Sequence, residues 1–205
     1  MSVSHPLLSR RSAKAGPTLP LLATAPELHL AQARVHEACG LARRTLALWL
    51  AAQTQGPVMW IAPSWTQEQL HCDGVTAWID PARLIFIHPR RPDDVLWTME
   101  EILRSGAVAL AVADLPGLPG LTQVRRMHLA AETGAAEGQY APLGLLLTPG
   151  AGGAAGVETR WHLSPAHTKG PETWRLERLR ARTAPQQGWE VHRSKTTQAL
   201  QIKSA

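Results

Sequence analysis

Six residues, "GLARRT" (Gly40–Thr45), hold the types that could bind a phosphate. They lie between an apolar run that begins at Val35 and an apolar helix pattern, the setting of a phosphate loop. A working loop, G-x-x-x-x-G-K-[ST], uses glycines so that backbone N–H groups converge on the phosphates. Its lysine neutralises their charge, and its hydroxyl binds magnesium. Here Gly40 takes the place of the first glycine, Arg44 that of the lysine and Thr45 that of the hydroxyl, while the second glycine is absent. Four residues separate Gly40 from Thr45 where the motif has six, so fewer N–H groups can wrap a triphosphate. Arginine is also a bulky fork rather than a compact ammonium. An anion at this helix N-terminus would still meet Arg43, Arg44 and the positive end of the helix dipole.

The partners that hydrolysis needs are thin. Asp114 closes "ALAVADL", where an aspartate could hold magnesium through water, although capping the next turn is an equal structural reason for it. Directly after "VMWIA" stand Pro63, Ser64 and Trp65, none a carboxylate that could activate water, and the nearest acid is Glu68. Thr148 before Pro149 is the only polar residue at the end of the fourth apolar strand. Phosphoryl transfer needs metal, nucleophile and charge stabilisers together. The degenerate nucleotide site is therefore Gly40, Arg44, Thr45 and Asp114, with no catalytic residue and no cofactor expected.

Other groupings are weaker. His71, Cys72 and Asp73 are adjacent and His162 and His167 lie five apart, but neither has further ligands at zinc spacing, so no metal site is expected. No G-x-S-x-G elbow is present, which leaves Ser64 and Ser105 without a claim as nucleophiles. Arg175, Arg178, Arg180 and Arg182 are candidate contacts to DNA phosphates. Trp161, Trp174 and Trp189 nearby could stack bases, but their period-two spacing favours an inner sheet face. Trp49, Trp60 and Trp97 are expected in the core.

The elements that must position these residues follow from periodicity. Val35–Cys39, "VMWIA", "RLIFI" (Arg83–Ile87), "AVALAVADL" (Ala107–Leu115) and "LGLLLT" (Leu143–Thr148) read as buried strands without polar alternation. Helices are expected over Leu41–Gln53, from Ser64 to Leu70, from Asp93 or Asp94 to a stop at Gly106, and over Pro119–Glu132. Apolar strands alternating with helices indicate an α/β fold, its mostly parallel sheet covered by helices on both faces. After the link "AGGAAG", the runs "TRWHLSP", "ETWRLERLRAR" and "GWEVHR" alternate apolar with polar residues and predict antiparallel C-terminal strands.

The 205 residues suit one domain over 31–193, flanked by a flexible basic arm (1–30) and a disordered tail (194–205). The net charge of +5 comes from the two ends, because residues 31–156 carry a net −2. That distribution suits weak DNA binding, or simply a solubilising tail. No apolar stretch is long enough for a membrane span. The two cysteines make no disulfide framework, and a cytoplasmic location is expected.

The run "RPDDVLWTMEEILRSGAVALAVADLPGL" (Arg90–Leu118), with "GPVMWIAP" and "DPARLIFIHP" before it, resembles the ImuA family of bacterial proteins. The ending "TRWHLSPA … ETWRLERLRAR … GWEV" is also similar to ImuA proteins, so the likeness spans about residues 31–193. More distantly, "EILRSGAVALAVADL" resembles recombinase RecA. The resemblance implies a RecA-like domain working in SOS-induced translesion mutagenesis. It implies as partners an ImuB-like protein, an error-prone DNA polymerase and a RecA-type recombinase. With the loop degenerate, a non-catalytic adaptor is the first reading. An ATP-binding RecA-like DNA repair protein and a SulA-like cell-division inhibitor are the alternatives. In the first reading, the arm docks on a partner through Leu7, Leu8, Leu19, Leu21 and Leu22, with Arg10, Arg11 and Lys14 steering.

Overall fold

Apolar runs of four or five residues, buried from end to end, form the centre of the molecule. In the computed structural model, residues 16–66, 68–169 and 172–204 are described. A hairpin comes first, β1 (Thr18–Leu22) and β2 (Ala25–Ala31). Then follow β3 (Val35–Cys39), α1 (Arg43–Ala52), β4 (Val58–Ile61), the short α2 (Cys72–Thr76), β5 (Leu84–Ile87) and α3 (Pro92–Ser105). β6 (Leu110–Asp114), α4 (Leu121–Glu137) and β7 (Leu143–Leu147) complete the middle of the chain. The C-terminal run is β8 (Thr159–Pro165), β9 (Thr173–Ala181), β10 (Gln187–Arg193) and β11 (Leu200–Ser204).

Nine strands make one sheet in the order β11-β10-β9-β8-β3-β7-β6-β4-β5. Every pairing from β8 through β5 is parallel, and those from β8 through β11 are antiparallel. The α/β class, the mostly parallel sheet and the antiparallel C-terminal strands are thus as the periodicity predicts. Residues of the central strands alternate between two core clusters. Leu110, Val112, Leu145 and Leu147 join α1 in the first, while Ala111, Ala113 and Leu146 join α3 and α4 in the second. A strand buried on both sides has no polar face to show, so its sequence reads as a continuous apolar run. α3 ends at Gly106 in the left-handed conformation (φ 57°), where a Cβ would stand 2.3 Å from the Gly134 carbonyl oxygen. That glycine lets α3 and α4 approach closely.

The structure differs from expectation at several places. The flexible arm (1–30) does not extend through residue 30, because residues 18–31 are a hairpin packed on α1. Leu19, Leu21, Leu22, Leu28 and Leu30 are all buried in the first core cluster. Leu19, Leu21 and Leu22 are therefore not free to anchor a partner, and Leu7, Leu8, Arg10, Arg11 and Lys14 lie outside the described residues. Pro17, Pro20 and Pro26 give this segment a loop-like composition, yet a short hairpin outside the main sheet tolerates proline. The tail is not wholly disordered either. Leu200–Ser204 pairs with β10, Leu200 and Ile202 pack on the core, and the Thr24 hydroxyl donates to the Leu200 carbonyl.

No helix runs from Ser64 to Leu70 among the described residues. Ser64 N–H donates to the Pro89 carbonyl at 3.0 Å and the Thr66 hydroxyl to the Pro63 carbonyl at 2.7 Å, which makes a turn instead. "RLIFI" is the sheet edge, so Ile85 and Phe86 are exposed rather than buried. Trp97 is 59% exposed on α3, whereas Trp49, Trp60, Trp161, Trp174 and Trp189 are in the core. No helix among the described residues is long and apolar enough to cross a membrane.

A buried polar relay joins the hairpin end to the sheet. Trp161 Nε1–H donates to Thr159 Oγ1 (2.8 Å), and that hydroxyl lies 2.7 Å from His36 Nδ1. His36 Nε2 is 2.8 Å from the Ala31 carbonyl. The neutral ring fits this chain with Nε2–H as donor and Nδ1 as acceptor. Burial, the largest influence, pushes the His36 imidazole down from 6.5 to about 4. A folded pKa below the unfolded one means the unfolded chain binds more protons between those values. The stability due to His36 is complete above about pH 6.5 and is lost as pH falls toward about 4, roughly 3 kcal/mol in all. Urea unfolding at neutral pH and near pH 4.5 should show this loss, and His36→Asn should make it smaller. An identical pH dependence in the variant would contradict the assignment.

Candidate functional site

The loop after β3 turns at Gly40, whose φ is +89°. A Cβ there would lie 2.5 Å from the Leu163 carbonyl oxygen and 2.7 Å from His162 Nε2. Close approach of β8 therefore explains the glycine without any phosphate. Two of the loop's donors are already engaged: Gly40 N–H donates to the Gly150 carbonyl and Ala42 N–H to the Leu163 carbonyl, both at 3.0 Å. A polyphosphate would have to displace both. Leu41 is exposed at the tip, and Thr45 follows in the first turn of α1, half-buried.

The structure brings Arg44 and Asp114 together, 70 residues apart in the chain. Arg44 Nε donates to Asp114 Oδ2 at 2.5 Å, and an Arg43 guanidinium nitrogen lies 3.8 Å from Asp114 Oδ1. Arg44 also reaches Glu68 Oε2 at 2.7 Å. The Asp114 side chain is only 8% exposed, so its attraction to Arg44 is screened less than that of a surface pair. The guanidinium of Arg44 thus takes up one oxygen of this carboxylate. Cavities of about 440 and 400 Å³ flank it. The larger is walled by Trp60, Leu70, Phe86 and His88, and the smaller by Arg43, Pro116 and Pro149.

Behind the loop lies Glu37, a residue that periodicity did not single out. It sits fully buried in β3 and accepts four hydrogen bonds: from Thr148 Oγ1 (2.6 Å), Gly153 N–H (2.8 Å), Ala154 N–H (3.1 Å) and Arg160 Nε (2.5 Å). Thr148 is thus a ligand of Glu37 in this structure. Cys39, two residues on, donates to the Trp161 carbonyl at 3.4 Å, and burial, followed by the Glu37 charge, pushes its thiol up to about 11. One signal for Glu37 was visible. A histidine and a glutamate stand together inside "VHEAC", where each needs a buried partner.

The four candidate DNA-contacting arginines are not on one surface. Arg178 stacks over the rings of Trp161 and Trp189, 5.7 and 5.2 Å from their centroids. Arg175 pairs with Glu177 at 3.1 Å. Arg180 and Arg182 are together beside α4, in a groove with Arg34 and Arg125. Among the described residues no group of three or more His, Cys, Asp or Glu side chains is placed to hold a metal.

Compared with protein-family models and with curated proteins, the chain matches none.

Replacing Glu37 by alanine strands Arg160, the Thr148 hydroxyl and two loop N–H groups at once. A loss of about 3–5 kcal/mol is expected in chemical unfolding. Arg44→Ala leaves Asp114 with only the longer Arg43 contact and should remove about 1–3 kcal/mol. Equal stability of either variant and the parent would show that the pairing contributes nothing.

Proposed function

We propose that this chain is a non-catalytic, RecA-like accessory protein of the ImuA type. It acts in SOS-induced translesion mutagenesis as an adaptor between a recombinase or polymerase-like partner and damaged DNA. The family resemblance of residues 31–193 supports the setting. The strand order supports a RecA-like core, with α1 on one face of the sheet and α3 and α4 on the other, and the strand bearing the shortened loop at its centre. The observation that supports the non-catalytic reading is the Arg44–Asp114 pair, which engages the carboxylate expected to hold a nucleotide-bound metal.

The alternative of ATP binding through an altered loop meets the same obstacle, because Gly40 and Ala42 N–H groups are bonded within the chain. A protein that keeps the shape of a recombinase without its turnover acts through surfaces, and its partners are the ImuB-like protein, the error-prone polymerase and the RecA-type recombinase.

Purified protein should show no ATP hydrolysis with or without single-stranded DNA, and capture from DNA-damaged cells should bring down one of these partners. ATP turnover that disappears in Asp114→Asn would overturn the non-catalytic reading. Capture of the division machinery instead of polymerase or recombinase would favour the SulA-like alternative.

A further inference from the structure

A groove of about 650 Å³ runs between α4 and the adjoining ends of β3, β8 and β9. Leu121, Arg125, His128 and Glu132 recur at three- and four-residue spacing along one face of α4. At 1.5 Å per residue this stripe is about 16 Å long. Arg34, Arg180 and Arg182 line the groove from the sheet side.

The charges there are unevenly matched. Arg34 pairs with Glu132, and Arg182 lies 3.8 Å from Glu158. Arg125 and Arg180 are exposed and have no acidic partner among the described residues. Several arginines elsewhere are neutralised within the fold: Arg160 by Glu37, Arg104 and Arg126 by Glu100, Arg193 by Glu172. His128 is engaged in the fold, its Nδ1 accepting from Val35 N–H (3.3 Å) and its Nε2 lying 3.1 Å from the Gly156 carbonyl. It therefore adds shape rather than charge.

We propose that this groove binds the phosphodiester backbone of single-stranded DNA. Arg125 and Arg180 supply planar forks that match phosphate oxygens. Leu129, 62% exposed, and Leu121, 41% exposed, also line the groove. They offer apolar surface to sugars and base faces, which a duplex keeps stacked inside. No Trp, Tyr or Phe is among the groove's described lining residues, so the binding is weak and salt-dependent. Its biological meaning rests on the adaptor reading above, but the groove's affinity for DNA is a separate physical property. Arg175 and Arg178, both sequence candidates, lie outside this groove and take no part.

The test is fluorescence anisotropy of a labelled oligothymidylate of about 20 nucleotides with the full chain at low salt. Each phosphate contact adds about −0.7 to the log–log salt slope on a single strand. Replacing Arg125 and Arg180 together by alanine should weaken binding roughly tenfold and remove about 1.4 of that slope. The paired lysine variant, Arg125→Lys with Arg180→Lys, should keep most of the affinity, and Arg175→Ala should keep all of it. Unchanged affinity in the double alanine variant would overturn the proposal. So would tighter binding of a duplex of equal length, or stronger displacement by polyglutamate than by unlabelled oligonucleotide. Loss of oligonucleotide binding with partner capture intact counts for the groove. Retained oligonucleotide binding with no partner captured counts against the adaptor reading alone.

Discussion

A carboxylate in the middle of a buried strand must be surrounded by donors, and Glu37 sets that condition on β3. Leaving its charge unpaired in a low-dielectric interior would cost several kcal/mol. Its donors come from the end of β7, from the glycine-rich turn after it and from β8. Meeting them fixes the neighbours of β3 on both sides and draws the 149–154 turn over the end of the sheet. That turn carries the Gly150 carbonyl to the Gly40 N–H. The closure of the shortened loop is thus linked to the same buried charge.

A phosphate loop works because its donors wait for a ligand. Here the Gly40 and Ala42 N–H groups are bonded inside the fold, and Arg43 and Arg44 both lie against Asp114. The buried Arg43 Nε has no hydrogen-bond partner among the described residues. On the surface, the groove beside α4 keeps Arg125 and Arg180 without an acidic partner among the described residues, and the sheet edge at β5 leaves Ile85 and Phe86 in the open.

The aromatic residues mark the opposite pole of the molecule. Trp49 meets Trp78 and Trp174 at centroid distances of 5.9 and 5.2 Å, and Trp161 meets Trp189 at 6.0 Å. These contacts bind α1 to the antiparallel strands. Arg178 and Arg193 cap the cluster through cation–π contacts, which explains why arginines interleaved with tryptophans in "ETWRLERLRAR" serve the core as much as the surface.

The sequence by itself determined the parallel strands, because burial on two sides leaves a run such as "ALAVA" no polar position. It also determined the antiparallel ending, through period-two alternation, and the deficiency of the loop, through the count from Gly40 to Thr45. These are local properties of spacing. Only the tertiary structure decided that Glu37 is met by Arg160, that Arg44 closes on Asp114, that residues 18–31 fold back on α1, and that Trp97 faces outward. Each depends on which distant segments become neighbours. A helical period fixes the separation of side chains around an axis but not which face finds a partner, so Trp97 and Met99 could not be told apart until α4 packed on one side of α3. The proline-bearing hairpin was hidden for the same reason: its strands are short, and what stabilises them is the apolar surface of α1, a contact that spacing along the chain does not encode.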